Sequence, residues 1–117
     1  MTMEIAGRRI GPDQQPYIIA EMSGNHNQSL SRALEIVEAA AKAGAHAIKL
    51  QTYTADSMTL PHNDGEFFIS DEVSLWKGES LHALYQKAHT PWEWHEPIME
   101  RATKLGLGCF STPFDEK

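Results

Sequence analysis

The chain has 117 residues, of which 41% are hydrophobic, with 10 Lys and Arg against 16 Asp and Glu. This length suits one small domain, and the net charge of -6 argues against a protein that follows nucleic-acid phosphates, because such proteins carry clustered positive charge. A single cysteine excludes an internal disulfide, so we expect a reducing, cytoplasmic setting. No apolar run approaches the roughly 20 residues that span a bilayer, and the N-terminal segment lacks the apolar stretch of a secretory signal.

The first elements predicted along the chain are a hairpin and a strand. Residues 3–11 alternate weakly around Gly7, which indicates a short hairpin. Residues 17–20 form a continuous apolar run, which is typical of a strand covered on both faces. The run ends at Glu21, and a polar loop that contains Asn25 and His26 follows it.

A helix is predicted after this loop, and it leads into a second strand. Ser29 is a candidate N-cap, and apolar residues at helical spacing form one stripe behind it. Glu38 and Lys42 are spaced to pair along the helix, and Gly44 stands where a helix ends. Residues 45–51 then read as a strand. Strand, helix and strand joined by short loops predict a parallel βαβ unit.

No periodicity persists from Thr52 to Glu79. A connection of this length inside a compact domain is usually functional or disordered. Its aromatic residues, Phe67, Phe68 and Trp76, argue against disorder. Ser80 is then a candidate cap for a short helix.

A further helix and a third strand close the predicted series. Thr90 and Glu93 fit a capping box with a proline at the first helical position, and the helix would run to Leu105. Pro97 inside this helix requires either a kink or a separate first turn. Residues 107–112 form the third strand candidate. Three strands with helices between them predict an α/β fold, either doubly wound or a barrel, and a (β/α)8 barrel of about 250 residues would need more chain than this.

Polar residues at the carboxyl ends of the three strands are the candidate functional residues, because both architectures bind ligands there. Lys49 and Gln51 lie two residues apart in the second strand and hence on one face. Glu21 ends the first strand, and Ser111 and Thr112 end the third. Convergence of these groups from three strands favours a functional site.

Lys49 is the strongest candidate for a functional residue, because an ammonium in an apolar strand needs an anionic partner or contact with solvent. It either pairs with Glu21, lies at an exposed strand end, or holds a substrate phosphate or carboxylate with help from the Thr112 hydroxyl. His26 is either a catalytic or binding residue or an ordinary loop histidine. Dinucleotide, P-loop and zincin motifs have no support in the sequence.

Three strings at the strand ends resemble the sialic acid synthase family: residues 19–27 (IAEMSGNHN), 49–53 (KLQTY) and 110–114 (FSTPF). Members of this family are transferases that condense phosphoenolpyruvate with an amino-sugar aldose to give a nine-carbon keto acid. The first string and residues 65–94 look most similar to the branch that makes pseudaminic acid from a diacetamido-trideoxy hexose. The alternatives are the N-acetylneuraminate and legionaminic acid branches, or an inactive fragment that at most binds a partner.

The resemblance implies that residues 1–117 are the N-terminal three β/α units of a truncated (β/α)8 TIM barrel. The rest of the barrel and a C-terminal antifreeze-like domain would lie outside this chain, and the complete enzyme would be a homodimer. By position, Lys49 and Thr112 match residues that bind phosphoenolpyruvate. Glu21, the expected catalytic residue, and Gln51 match residues beside the reacting sugar carbonyl and hydroxyls.

The other matching positions are expected to bind substrate, and they are Asn25, His26, Tyr53, Ser111 and Phe114. The resemblance also implies a divalent metal, Mn or Mg, whose histidine ligands would come from later strands and not from this chain. We therefore expect the 117-residue chain to be inactive by itself. Its expected partners are small molecules rather than nucleic acid or membrane, and the Thr52–Glu79 excursion is expected to select the aldose.

Overall fold

The computed structural model describes residues 2–116, which form one antiparallel hairpin and one three-stranded parallel sheet with helices. The strands are β1 (Met3–Ile5), β2 (Arg8–Ile10), β3 (Ile19–Glu21), β4 (Ala47–Thr52) and β5 (Gly108–Pro113). The helices are α1 (Leu30–Lys42), α2 (Ala55–Met58), α3 (Leu81–Ala88) and α4 (His95–Lys104), with 3-10 turns at Gly65–Phe67 and Trp92–Trp94. None of the helices in this part of the chain is long and apolar enough to cross a membrane.

The predicted N-terminal hairpin is confirmed. β1 pairs antiparallel with β2, with Met3 opposite Ile10. Ala6 and Gly7 make the turn with positive φ angles of 50° and 80°. Two central residues with positive φ give the tight hairpin turn whose twist matches that of the strands, and glycine adopts this conformation at little cost.

The predicted parallel βαβ unit is also confirmed. The sheet has the order β3-β4-β5, and both neighbours pair parallel with β4. Glu21 lies opposite Lys49, and Thr112 lies opposite Gln51. The carboxyl ends of the three strands therefore meet at one edge of the sheet.

Helix α1 begins and ends where its capping residues predict. The Arg32 backbone N–H donates to the Ser29 hydroxyl at 3.2 Å, and Gly44 follows the helix with a φ of 91°. The predicted pairing of Glu38 with Lys42 is wrong, since the Glu38 carboxylate contacts the Arg101 guanidinium instead. The cause is that α1 packs beside α4, which brings a guanidinium with more donors to the carboxylate.

The core lies between the sheet and these two helices. Side chains from α1, β4 and α4 meet there without solvent exposure: Ala33, Val37, Ile48, Leu50, Ile98 and Ala102. The helices thus cover one face of the sheet. The opposite face, called the open face below, buries Ala47 but leaves Ile19 and Phe110 41% and 37% exposed.

The first parallel strand differs from its prediction in position and environment. It was expected over residues 17–20 with cover on both faces, but it spans Ile19–Glu21. Ile18 and Ile19 are 54% and 41% exposed. β3 is the edge of a sheet that helices cover on one side only, so an apolar run there does not imply burial on both faces.

The predicted capping box at Thr90 is wrong. A 3-10 turn at Trp92–Trp94 comes first, α4 begins at His95, and Thr90 is 1% exposed with its hydroxyl bonded to His26. The alternative of a separate first turn is therefore confirmed. Pro97 falls in the first turn of α4, where its missing N–H forfeits no helical hydrogen bond.

The Thr52–Glu79 excursion contains short structure that no periodicity indicated. Helix α2 begins with a capping box between Thr54 and Ser57, and an isolated bridge joins Phe68 to Ser80. Ser80 caps α3 as predicted, because its hydroxyl accepts from the Ala83 backbone N–H at 3.1 Å. The excursion is thereby tied to the start of α3.

The open face of the sheet should make the 117-residue chain associate in solution. Ile19 and Phe110 on this face are 41% and 37% exposed, and water favours the burial of such surface. Sedimentation velocity should show a mass that rises with protein concentration. Phe110→Ser should weaken the association, whereas Leu75→Ser, at an exposed site in the excursion, should not. A single monomeric species at every concentration would contradict this expectation.

Candidate functional site

Alternation along β4 sorts its side chains between two environments. Ile48 and Leu50 are fully buried beneath the helices, so Lys49 and Gln51 lie on the open face. The pairing register places Glu21 and Thr112 beside them on the neighbouring strands. Four predicted site residues are thus brought together on one face, at the carboxyl ends of three strands.

Of the alternatives for Lys49, the structure shows the ion pair with Glu21. Its ammonium contacts one carboxylate oxygen of Glu21, and the two side chains are 27% and 57% exposed. An ammonium has three N–H donors, and a single carboxylate oxygen occupies only part of that capacity. Lys49 can therefore contact Glu21 and still donate to an anion on the open face, although its substrate role stays a prediction.

Ser111 does not share this face. Its hydroxyl lies 2.5 Å from Thr52 Oγ1 on the helix-facing side of the sheet. Thr52 Oγ1 is in turn 2.8 Å from His95 Nε2. The structure therefore separates Ser111 from Glu21 and Lys49 by the thickness of the sheet, and its role as a substrate ligand stays a prediction.

The loop after β3 has a strained backbone that a neighbouring segment holds in place. Ser23, Asn27 and Gln28 have positive φ angles of 50°, 48° and 57°, a region that is costly for residues other than glycine. The Gln28 side-chain amide donates to the backbone carbonyls of Lys87 and His89 at 2.6 and 2.8 Å. These bonds offset part of the backbone cost and fix the loop against the end of α3.

The same loop approaches α3 so closely that only glycine fits at one position. A Cβ added to Gly24 would lie 2.9 Å from the Cβ of Ala88 and 3.1 Å from its carbonyl oxygen. Next to it, the Asn25 side-chain amide donates to the Met22 carbonyl at 2.9 Å, and Arg32 Nε donates to the Asn25 carbonyl at 2.9 Å. The loop that carries Asn25 is therefore closely constrained.

His26 is fully buried and holds the loop from inside. The Gln28 backbone N–H donates to Nδ1 at 3.1 Å, so the hydrogen of the neutral ring is on Nε2, which lies 3.1 Å from the Thr90 hydroxyl. The ring meets Trp94 edge-on at 5.1 Å. Burial lowers the pKa of His26, and His89 lowers it further. These contacts favour a structural role, and the predicted role in substrate binding stays untested.

A cavity of about 270 Å³ lies at the strand ends. Asn25, Gln51 and Tyr53, all predicted site residues, contribute to its lining. Its apolar wall was not predicted, and it consists of Trp76, Leu84 and Tyr85. Leu84 and Tyr85 are adjacent in α3, and such spacing is typical of a packing face rather than of a ligand site. No local signal shows which cavity an excursion residue such as Trp76 will line.

Tyr53 and Phe114 support this region by aromatic packing. Tyr53 is nearly buried and meets the rings of Tyr85 and Phe114 edge-on at 5.7 and 6.0 Å. Burial raises the pKa of the Tyr53 hydroxyl, and Tyr85 adds to the rise. The Tyr53 side chain is therefore neutral and serves as part of the cavity lining.

Cavity size does not by itself identify the site. A groove of about 710 Å³ runs along α4 between Trp92 and Met99. None of the predicted site residues lines it. The smaller cavity is the better candidate, because it lies at the carboxyl ends of the parallel strands and includes Gln51.

The chain is similar in sequence to proteins of one family. The NeuB family model matches residues 36–117. The chain is 50% identical over 102 residues to the pseudaminic acid synthase of Campylobacter jejuni, a match that covers 87% of this chain and 29% of that protein. It is 49% identical over 104 residues to the pseudaminic acid synthase of Helicobacter pylori, covering 89% and 30%.

A solved structure has a similar fold. The N-acetylneuraminic acid synthetase of Leptospira borgpetersenii, in complex with citrate, superposes with a TM-score of 0.78 at 26% identity. The match covers 99% of this chain and 35% of that protein. The α/β fold is therefore that of sialic acid synthase structures, and this chain spans less than a third of the length of the two curated relatives.

Buried His26 should make the stability of the fold depend on pH. Its pKa is lowered in the folded state, whereas a histidine in the unfolded chain titrates near its ordinary value of about 6.5. Below that pH the unfolded state binds more protons, so the free energy of unfolding falls as the pH is lowered and is retained above it. Urea unfolding at several pH values should show that the free energy of unfolding depends less on pH in His26→Gln than in the parent chain.

The matched control is His62→Gln, which removes an exposed histidine of the excursion and should leave the pH dependence as it was. An equal pH dependence in His26→Gln and the parent chain would show that the buried ring does not control stability.

Proposed function

The chain belongs to the NeuB family. We propose that it is the part of a pseudaminic acid synthase that supplies the first three β/α units of a (β/α)8 barrel. The observation that carries the proposal is the alignment of Glu21, Lys49, Gln51 and Thr112 on one face of three adjacent parallel strands. Higher identity to the two pseudaminic acid synthases than to the N-acetylneuraminic acid synthetase supports this branch.

The barrel proposal rests on the topology of the sheet. Its strands are all parallel, helices cover one face, and the polar residues lie on the other. In a closed barrel that second face would be the interior, where side chains from alternate strand positions form layers. The remaining strands and an antifreeze-like domain would belong to other parts of the complete enzyme, for which we propose a homodimer.

The proposed reaction joins two carbon skeletons. The methylene carbon of phosphoenolpyruvate attacks the aldehyde carbon of a diacetamido-trideoxy hexose, and water adds to the carbon that bears the phosphate. The resulting tetrahedral intermediate expels phosphate by cleavage of its carbon–oxygen bond. The products are a nine-carbon keto acid and inorganic phosphate.

The four aligned residues have distinct proposed roles. Lys49 would hold the phosphate or carboxylate of phosphoenolpyruvate throughout, and the Thr112 hydroxyl would add a hydrogen bond. Glu21, held in place by its contact with Lys49, would orient the sugar and exchange a proton with its reacting oxygen. Gln51, two residues beyond Lys49 on the same face of β4, would bind the sugar hydroxyls.

The cavity beside Gln51 supports an aldose of low polarity. Trp76, Leu84 and Tyr85 offer mainly apolar contact area. A hexose with two acetamido groups and a deoxy methyl group carries apolar surface that such a wall can cover. The same strand-end residues would serve the neuraminate and legionaminate branches, so we propose that this wall selects among the aldoses.

The divalent metal implied by the resemblance has no ligand set here. Among residues 2–116, no three His, Cys, Asp or Glu side chains are grouped so that they could hold a metal. We propose from the resemblance that histidines of later strands bind Mn or Mg. The isolated chain would accordingly lack activity.

Substitution of Lys49 tests the phosphoenolpyruvate site. The test uses a chimera, in which residues 1–117 replace the matching segment of the Campylobacter jejuni synthase. In this chimera, Lys49→Met should lower kcat/KM for phosphoenolpyruvate at least about tenfold, because charge-assisted bonds are lost. The control Lys42→Met removes an exposed helical lysine and should have no effect. Unchanged kinetics in a folded Lys49→Met chimera would refute the assignment, and a folded parent chimera without turnover would refute the proposed function.

Substitution of Trp76 tests the choice of aldose. In the same chimera, Trp76→Ala should raise KM for the diacetamido hexose about fivefold by loss of apolar contact, and leave KM for phosphoenolpyruvate unchanged. A hexose with hydroxyl groups in place of one acetamido group should be affected less. Trp92→Ala, at a comparably exposed tryptophan outside the cavity, is the control. Equal effects of the two substitutions on the aldose would place selectivity elsewhere.

A further inference from the structure

A chain of hydrogen bonds joins three elements on the helix-facing side of the sheet. Ser111 of β5 lies 2.5 Å from Thr52 of β4, and Thr52 lies 2.8 Å from Nε2 of His95 at the start of α4. The other ring nitrogen, Nδ1, lies 3.3 Å from the Pro91 carbonyl and 3.2 Å from the Trp92 carbonyl. The chemistry proposed above does not use Thr52 or His95, nor does it use the contact between Ser111 and Thr52.

The acceptors at one end set the direction of the whole chain. Carbonyl oxygens only accept, so the hydrogen of a neutral His95 ring is on Nδ1 and its Nε2 is an acceptor. The Thr52 hydroxyl must then donate to Nε2, and its oxygen accepts from the Ser111 hydroxyl. Each hydroxyl hydrogen has one acceptor, so the three side chains are held in a single orientation.

This chain lies directly behind the candidate site. Thr52 follows Gln51 in β4, and Ser111 precedes Thr112 in β5, so the bonded pair and the site pair occupy opposite faces of the same strand ends. The backbone pairing continues past them, because the Phe114 N–H donates to the Thr52 carbonyl at 2.9 Å. The ends of β4 and β5 are therefore joined by both backbone and side chains.

We propose that Thr52, Ser111 and His95 form a positioning unit that sets the position of Thr112 on β5 relative to Lys49 on β4 and thereby the binding of phosphoenolpyruvate, an inference that rests on the proposed function. Ser111 then acts through Thr52 and does not touch substrate. A strand end without the unit can fray, because terminal ladder bonds are exposed to water and open at little cost. The unit prevents this fraying at the ends of β4 and β5, which carry Gln51 and Thr112.

Kinetics of the chimera separate positioning from direct binding. Thr52→Val keeps the shape but removes both hydrogen bonds, and it should raise KM for phosphoenolpyruvate about three- to tenfold with kcat nearly unchanged. Ser111→Ala should have a similar effect, and the double variant should be no worse than Thr52→Val, because either change breaks the same chain. Thr52→Ser, which keeps the hydroxyl, should restore KM. If the increases in KM from the two single substitutions multiply in the double variant, Ser111 binds substrate directly, and the proposal is overturned.

A spectroscopic measurement tests the unit without activity. In the chimera labelled with nitrogen-15 at histidine, His95 should have the Nδ1–H tautomer, with its signals assigned by their loss in His95→Gln. Thr52→Val should change the His95 ring signals and leave those of His26 in place. The Nε2–H tautomer for His95 in the parent would overturn the proposed hydrogen-bond direction. Because this readout needs no turnover, failure of the proposed function and failure of the positioning unit give different results.

Discussion

Strand β4 is bonded to parallel neighbours along both edges, and its two faces meet opposite environments. Ile48 and Leu50 pack beneath the helices, while Lys49 and Gln51 lie on the open face. The side-chain period of a strand is two, so a shift of one residue in register would put the ammonium into the apolar core. Burial of the two aliphatic side chains therefore also fixes where the site residues stand.

Local signals account for the parts of the fold that the sequence predicts. A cap such as Ser29 or Ser80 bonds to a backbone N–H three residues away, so both partners lie within one short window. The hairpin turn at Gly7 and the strand–helix–strand order are likewise short-range patterns. Alignment of Lys49, Gln51 and Thr112 follows from that order, because parallel strands bring their carboxyl ends together.

Partners distant in the chain account for what the sequence did not predict. Thr90 carries the capping signature, yet its hydroxyl meets His26, which lies far away along the chain. Glu38 has a lysine at the right helical spacing, yet it contacts Arg101 of another helix. In both cases the residue type is explained by a tertiary contact that competes with a good local alternative, and no window of sequence contains both partners.

The bonds from Gln28 to the end of α3 bear on the order of folding. Helix α3 has eight residues and none of them is buried, so it is too short to be stable in isolation. The backbone carbonyls of Lys87 and His89 at its end accept hydrogen bonds from the side-chain amide of Gln28, which is distant in sequence. We therefore expect α3 to form only after closure of a long loop. Amide hydrogen exchange of α3 would then follow the opening of the β3–α1 loop rather than that of the core.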